Sequence, residues 1–202
     1  MSSLAQPLYT VEEYLALERE AEYKSEFVNG QILAMSGASR AHNLIATNVS
    51  SELRVQLKGR PCETYSGDMR VQVSDTGMYA YPDVVVVCGE PRFEDTHPET
   101  LTNPTVIVEV LSASTEAHDR GAKFAHYRRL LSLQEYVLIA QDRCSVERFV
   151  RRGGEWLFSE ATALSDTVAL TSIDCRLALA EVYDRVAFPP DAGIVAGTGE
   201  PR

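Results

Sequence analysis

The sequence predicts an α/β fold, in which helices pack on a β-sheet whose central strands are buried. Two runs, residues 83–88 and 106–111, are so uniformly apolar that neither has a water-facing side, which is typical of strands in the middle of a sheet. Residues 40–58 instead repeat their apolar side chains at helical spacing and stop at the sequence Gly-Arg-Pro. Buried strands combined with an amphipathic helix place the chain in the α/β class.

The first elements carry clear local signals. Thr10 and Glu13 have the spacing of a capping box, which predicts a short helix that runs to about Arg19. The dipeptide Asn29-Gly30 tolerates the positive φ of a type I′ turn, so residues 26–33 are predicted to form a hairpin. The chain therefore begins with a helix followed by a β-hairpin.

The remaining predicted elements are mostly strands bounded by turn residues. In chain order they are strands at 62–66, 69–73, 83–88 and 106–111, a helix at 119–131, a strand at 135–140, a hairpin with arms 146–151 and 155–159, a strand at 168–170 and a short helix at 177–186. Residues 189–202 are rich in Pro, Gly and Ala and are predicted to be a disordered tail. No linker divides the chain, so we expect one domain over residues 1–188.

Composition limits the class of protein. The chain has 202 residues, of which 45% are apolar and 24% charged, and this is enough to bury one sizeable core. No apolar run approaches the roughly 20 residues that span a bilayer, and residues 1–7 lack the basic and apolar regions of a signal peptide. We therefore expect a cytoplasmic protein without a membrane partner.

The four cysteines, Cys62, Cys88, Cys144 and Cys175, are far apart in the sequence and show no CxxC spacing. Most of them lie in apolar stretches, where a thiol packs as a small hydrophobic group. This pattern indicates neither a zinc site nor a disulfide framework.

The charge balance is acidic, with a formal net charge of -10. Because phosphate-rich partners are usually met by a basic surface, non-specific binding to duplex DNA should be weak. The basic residues are nevertheless clustered in three regions, 40–70, 120–129 and 143–152. These clusters are either solvated faces or a local basic groove on an acidic body, and the sequence leaves both open.

A carboxylate inside one of the buried strands is the strongest functional signal. Glu109 lies in the run Val-Ile-Val-Glu-Val-Leu, where a charge costs several kcal/mol unless a partner offsets it. Asp83 opens the other buried run, and the two acids can converge if their strands are adjacent. Oxygen ligands suit Mg²⁺ or Mn²⁺, and the carbonyl of Val110 would add a further ligand. Asp83, Glu109 and Val110 are therefore the candidate metal ligands.

Lys123 lies on the predicted helix that follows the second strand. Near a metal it would steady or help to deprotonate an attacking water, or stabilise the charge on a pentacovalent phosphate. It could instead be an ordinary exposed lysine paired with Asp119 at i, i+4. Tyr127, one turn later, is expected to serve packing.

Four segments together resemble a known family: PDVVVV, VIVEVLSAST, HDRGAKFAHYRRL and QEYVLIA, with SEFVNGQILAMSGASRAHNLI near the amino terminus. They are similar to the Uma-two family of restriction endonucleases, a branch of the PD-(D/E)XK nuclease superfamily, over about residues 8–186. The resemblance implies a restriction-endonuclease-like α/β fold, with a central mixed sheet flanked by helices.

The resemblance also implies roles for individual residues. Asp83 and Glu109 match the metal-binding acids of the superfamily, and Glu26 matches its additional early acid. Leu111 stands where the usual lysine would be, so the lysine is displaced onto the next helix as Lys123. His42 would contact phosphate or assist proton transfer.

The sequence thus predicts a Mg²⁺-dependent endonuclease, in which Mn²⁺ also serves and a metal-activated water hydrolyses DNA. Its predicted catalytic residues are Asp83, Glu109, Lys123, Glu26 and His42, and DNA would bind through a local basic groove. The alternative is a non-catalytic module that keeps the nuclease fold for interaction or regulation. A homodimer is expected in either case, because exposed strand edges can pair with another chain.

Overall fold

The computed structural model describes residues 8–35, 37–94 and 97–189. Residues 1–7 and most of the predicted tail, 190–202, lie outside the described part of the chain. The helical segments are α1 (Val11–Glu20), α2 (Arg40–Gln56), α3 (Glu116–His118), a π-helical turn (Asp119–Lys123), α4 (Phe124–Tyr127) and α5 (Leu179–Val182). Within these ranges no helix has the length and apolar character that crossing a membrane requires.

Short strands make up much of the rest. In chain order they are β1 (Ser25–Val28), β2 (Gln31–Ala34), β3 (Cys62–Ser66), β4 (Arg70–Val73), β5 (Met78–Ala80), β6 (Val84–Cys88), β7 (Phe93–Glu94), β8 (His97–Leu101), β9 (Val106–Leu111), β10 (Glu135–Ala140), β11 (Val146–Arg152), β12 (Glu155–Ala161), β13 (Thr167–Leu170) and β14 (Cys175–Ala178).

The strands form two mixed six-stranded sheets and one small hairpin. The first sheet, sheet A, has the order β2-β1-β5-β4-β8-β7, and the second, sheet B, has the order β12-β11-β10-β9-β6-β3, while β13 pairs with β14. In sheet B, β9 runs parallel to β10 and antiparallel to β6. The predicted α/β fold with a central mixed sheet is confirmed, and the two apolar runs are inner strands of sheet B.

Sheet B is covered on both faces, which explains the uninterrupted valines of β6 and β9. One face packs against α2, α5 and the small hairpin, and its valines include Val84 and Val108. The opposite face packs against sheet A and the segment that contains Tyr127, and it includes Val85 and Ile107. Because side chains alternate along a strand, Glu109 belongs by register to the face that meets sheet A.

The amino-terminal signals produce the predicted structures. Thr10 and Glu13 form both hydrogen bonds of the capping box at the start of α1. Asn29 and Gly30 adopt φ values of 51° and 83° in the turn between β1 and β2, as a type I′ turn requires. Ser39 caps α2, where its hydroxyl accepts a hydrogen bond from the amide of His42. The hairpin and α2 each place a residue of the site described below, Glu26 and His42.

Three sequence-based expectations need correction. Cys62 and Cys88 form a disulfide, because the antiparallel pairing of β3 and β6 sets them directly opposite each other. The helix predicted at 119–131 is replaced by the π-helical turn and the short α4, which ends at Tyr127. The helix predicted at 177–186 is a strand, β14, followed by α5, because residues 175–178 pair with β13.

Candidate active site

Asp83 and Glu109 lie side by side at one end of sheet B. The register of β6 and β9 pairs Val84 with Val108 and Val85 with Ile107. Continuing that register by one residue sets Asp83 opposite Glu109, and directly opposed side chains have Cβ atoms roughly 5 Å apart. The two acids, 26 residues apart in sequence, therefore meet because their strands are neighbours.

Val110 connects the two acids through its backbone. Its amide N–H donates a hydrogen bond to Asp83 Oδ2 at 2.7 Å. In a strand the N–H and the carbonyl of one residue point to the same edge. The carbonyl of Val110 thus faces the side on which Asp83 lies, as the predicted ligand role requires.

Lys123 is surrounded by three carboxylates. Its Nζ lies 2.7 Å from Glu26 Oε1, 2.9 Å from Glu109 Oε1 and 3.5 Å from Asp119 Oδ1. Lys123 is 5% exposed, so the interpretation of this residue as an ordinary surface lysine is wrong. Glu26 comes from β1 of sheet A and Glu109 from β9 of sheet B, so Lys123 joins the two sheets at the site.

Asp119 is a site residue that the sequence offered only as a surface partner of Lys123. It is 3% exposed, and both residues lie within the π-helical turn. Such single π turns occur frequently at functional sites. The i, i+4 spacing of an acid and a lysine was the available signal, but only burial distinguishes this pair from a solvent-exposed one.

Burial sets the protonation of this cluster. It raises the pKa of Glu109 well above its ordinary value, although the charge of Lys123 acts in the opposite direction. The pKa of Asp119 is also raised by burial, again against the effect of Lys123. Burial by itself lowers the pKa of Lys123, but Glu109, Glu26 and Asp119 more than offset this and raise it. Lys123 therefore remains an ammonium ion, while Glu109 readily takes up a proton.

His42 approaches the other acid from the first turn of α2. Its Nε2 lies 3.3 Å from Asp83 Oδ1. Burial lowers the pKa of His42, but the hydrogen bond and the charge of Asp83 outweigh it, so the net shift is upward. His42 is thus placed at the metal-ligand candidate Asp83, and its role in phosphate contact or proton transfer stays a prediction.

Tyr127 has a polar role as well as the predicted packing role. It is fully buried, and its hydroxyl donates to Glu109 Oε1 at 3.1 Å. Burial raises the pKa of Tyr127, so its hydroxyl keeps the proton that it donates. The carboxylate of Glu109 is therefore held from one side by Tyr127 and from another by Lys123.

Apart from Tyr127, these residues line a cleft of about 550 Å³ between the hairpin β1–β2, the start of α2 and the π-helical turn. The acidic, lysine and histidine side chains that line it are Glu26, Asp83, Glu109, Asp119, Lys123, His42 and His118. No arginine appears among the described residues of this lining, so the predicted local basic groove does not coincide with the cleft. Arg120 and Arg143, from two of the basic clusters, instead pair with Glu116.

The donor set fits a hard divalent cation. Four carboxylates face one lysine and the His42 imidazole, so the site has at least two excess negative charges when every acid is ionised. Across the described ranges, however, no group of three or more His, Cys, Asp or Glu side chains is arranged to hold a metal by itself. Mg²⁺ commonly binds through one or two carboxylates and keeps several waters, which matches Asp83, Glu109 and the Val110 carbonyl.

The chain is similar to a known family and to two proteins of one organism. A family model, Uma2, described as "Putative restriction endonuclease", matches residues 11–180. The chain is 40% identical over 154 residues to "Uncharacterized protein sll1609" of Synechocystis sp., covering 76% of this chain and 87% of that protein. It is 37% identical over 183 residues to "Uncharacterized protein slr1290" of the same organism, covering 90% of this chain and 95% of the relative.

A solved structure shares the fold. It is described as that of "a putative nuclease belonging to DUF820" from Anabaena variabilis. The two superpose with a TM-score of 0.73 at 19% sequence identity, over 88% of this chain and 99% of the other. The arrangement of the two sheets thus belongs to a fold seen in a solved protein.

Proposed function

Because the chain belongs to the Uma2 family, described as "Putative restriction endonuclease", we propose that it is a Mg²⁺-dependent endonuclease that hydrolyses DNA phosphodiester bonds. The observation that carries the proposal is the pairing of Asp83 with Glu109 across two buried strands, beside a buried lysine. Structural burial alone gives no reason to concentrate three carboxylates around one ammonium group, with Asp83 beside them. A cation-dependent reaction on a phosphate does give one.

The proposed roles follow from the contacts. Asp83, Glu109 and the Val110 carbonyl hold the ion, and Mn²⁺ would serve in place of Mg²⁺. When bound, the ion polarises a phosphoryl oxygen and lowers the pKa of a water. Tyr127 orients Glu109 through its hydroxyl, and Glu26 with Asp119 holds the ammonium group of Lys123 in place.

Among the roles that the sequence left open for Lys123, its raised pKa favours one. A group that stays protonated does not serve as a base, so Lys123 donates a hydrogen bond and supplies positive charge to the attacking water or the phosphate. His42 lies beside Asp83, where a ring N–H would donate a hydrogen bond to a phosphate oxygen. The cluster therefore provides carboxylates for the cation and two hydrogen-bond donors for the anion.

The test is cleavage of supercoiled plasmid and of linear DNA with and without Mg²⁺ or Mn²⁺. We expect nicking only with metal, loss of activity in Glu109→Gln, and loss of activity in Lys123→Ala without loss of metal binding. Glu22→Gln is a matched control, because Glu22 is exposed and outside the cleft. Equal nicking by Glu109→Gln and the wild-type protein would contradict the proposal.

A non-catalytic module remains the second candidate, and the net charge of -10 is the observation that favours it. In that case the cluster would be a structural ion-pair network. Metal would then produce no cleavage and would not change the melting temperature. The predicted homodimer also stays a proposal. The edge strand β12 exposes Leu157 and Phe158, at 52% and 56%, and analytical ultracentrifugation of the wild type against Phe158→Ser would measure its part in self-association.

A further inference from the structure

We propose, on the basis of the proposed nuclease function, that the substrate is an unpaired DNA strand whose nucleotide enters the cleft, and that intact duplex is a poor substrate. Four separate features support this: the depth of the acids, the size of the cleft, its apolar mouth and the ion pairs of Arg120 and Arg143.

The reacting groups lie at the bottom of the cleft. Glu109 and Lys123 are 4% and 5% exposed. A phosphate must approach them directly, because the ligands of a shared cation lie within about 2 Å of it. In a duplex each phosphate is fixed on the outside of a wide rod, whereas an unpaired strand can bend a single nucleotide inward.

The cleft has the dimensions of a small-molecule pocket. Its volume of about 550 Å³ lies within the range of roughly 300–1,000 Å³ that is usual for such pockets. Ser39 at the start of α2 hydrogen-bonds Gln141 after β10, and both residues line the cleft. This contact joins two of its walls, so the space suits one nucleotide rather than a length of double helix.

The mouth of the cleft has an apolar wall. Leu33 and Met35, on and just after β2, are 37% and 38% exposed and line the cleft together with the buried Tyr81. Unpaired bases expose apolar faces that pack on such side chains, whereas the bases of a duplex are already stacked on each other. The wall therefore offers contact to a single strand that a duplex cannot use.

The charges around the cleft also disfavour a duplex. Arg120 pairs with Glu116 and Glu147, and Arg143 pairs with Glu116 and Asp142, so these arginines are already neutralised. Duplex binding depends on unpaired cations that displace counterions from densely spaced phosphates, and the dependence is weaker for single strands. On an acidic protein this difference favours the unpaired strand.

The experiment uses the full-length protein with three end-labelled substrates of one sequence: a single strand, its blunt duplex, and the duplex with a central unpaired bulge. With Mn²⁺ present, we expect cleavage of the single strand and at the bulge to be about tenfold or more faster than cleavage of the blunt duplex. Blunt duplex cut as fast as the single strand would overturn the inference.

Binding is measured separately by fluorescence anisotropy with the Glu109→Gln variant, which keeps the cleft. We expect the double variant Leu33→Ser, Met35→Ser to weaken single-strand binding by about tenfold while its melting temperature stays unchanged. Leu131→Ser is the matched control, because Leu131 is 87% exposed and outside the cleft lining, and it should bind like its parent.

The two proposals fail differently. If no substrate is cut with either metal, the proposed nuclease function is wrong. The anisotropy data would still show whether the protein binds the single strand or the duplex more tightly. Preferential binding of the single strand would then support the inference about the cleft, and equal or stronger binding of the duplex would overturn it.

Discussion

Lys123 Nζ lies 2.9 Å from Glu109 Oε1, although the two side chains come from different elements and each is at most 5% exposed. The lysine thus occupies one side of the carboxylate that is the best candidate for a metal ligand. A cation bound at Glu109 and the ammonium group therefore share one acid, and the free energy of the cluster depends on protons, metal and Lys123 together.

Metal should stabilise the folded protein through this cluster. We expect Mg²⁺ or Mn²⁺ to raise the melting temperature of the wild type, because a ligand bound only by the folded state adds about 2.7 kcal/mol at a concentration of 100 times its Kd. Asp83→Ala and Glu109→Gln should lose the shift, and Glu22→Gln should keep it. Differential scanning fluorimetry over a metal titration measures this. Identical shifts of the melting temperature in all four proteins would contradict a metal site at Asp83 and Glu109.

Without metal, the unfolding free energy should depend on Glu109. Its folded-state pKa is raised above the ordinary 4.5 mainly by burial. The folded state then binds the proton more tightly than the unfolded state, so the contribution of Glu109 to stability is fully present below about pH 4.5 and is lost as pH rises through the raised pKa. Glu109→Gln should remove this part of the decline and be the more stable protein at neutral pH.

Urea unfolding of both proteins across this pH range measures the difference between them. Asp119 and His42 have raised pKa values too, but they remain in both proteins, so the comparison isolates Glu109. Parallel stability curves for the wild type and Glu109→Gln would show that this carboxyl group does not titrate as its burial implies.

Among the residues of the cluster, we expect the replacement of Lys123 to lower the free energy of unfolding most. Lys123→Met would leave Glu26, Glu109 and Asp119 buried without their cation, a loss of about 3–5 kcal/mol at neutral pH that acid or Mg²⁺ should partly restore. Lys58→Met is the control, because Lys58 is exposed. Equal urea midpoints for the two variants would contradict the central position of the lysine.

The central strands and the main site acids were predictable for a physical reason. β6 and β9 are buried on both faces, so their valines are uninterrupted, and a carboxylate inside such a run is too costly to persist unless it pairs with a charge or a cation. Helix α2 was equally clear, because only one of its faces packs on the sheet, which leaves a helical period in the sequence.

Other features were not accessible from the sequence. The short strands β5 and β7 have three and two residues, too few to show any alternation. The π-helical turn forms its hydrogen bonds one residue further along the chain than an α-helix, a difference that leaves no local pattern, so the sequence predicted a longer α-helix there. The contact of Glu26 with Lys123 depends on how sheet A meets sheet B, which no local pattern encodes.

His42 should make metal affinity depend on pH. Its pKa is raised by Asp83, so below that pKa an imidazolium ion occupies the carboxylate that the metal needs. Affinity for Mn²⁺ should therefore increase as pH rises through the His42 pKa, as the imidazole loses its charge. Calorimetric titrations of the wild type and His42→Gln at about pH 6 and 8 measure this, and the variant should show a smaller increase.

The disulfide should contribute stability without affecting the site. Cys62 and Cys88 are 26 residues apart, and closing a loop of that length stabilises a folded chain by roughly 3 kcal/mol in the chain-entropy model. Reduction, or Cys62→Ser, should therefore lower the urea midpoint, while Cys144→Ser should not, because Cys144 is a free thiol. Metal affinity should stay the same, because Cys88 ends β6 at the opposite end from Asp83. Equal midpoints for oxidised and reduced protein would show that the pairing of β3 with β6 needs no covalent link.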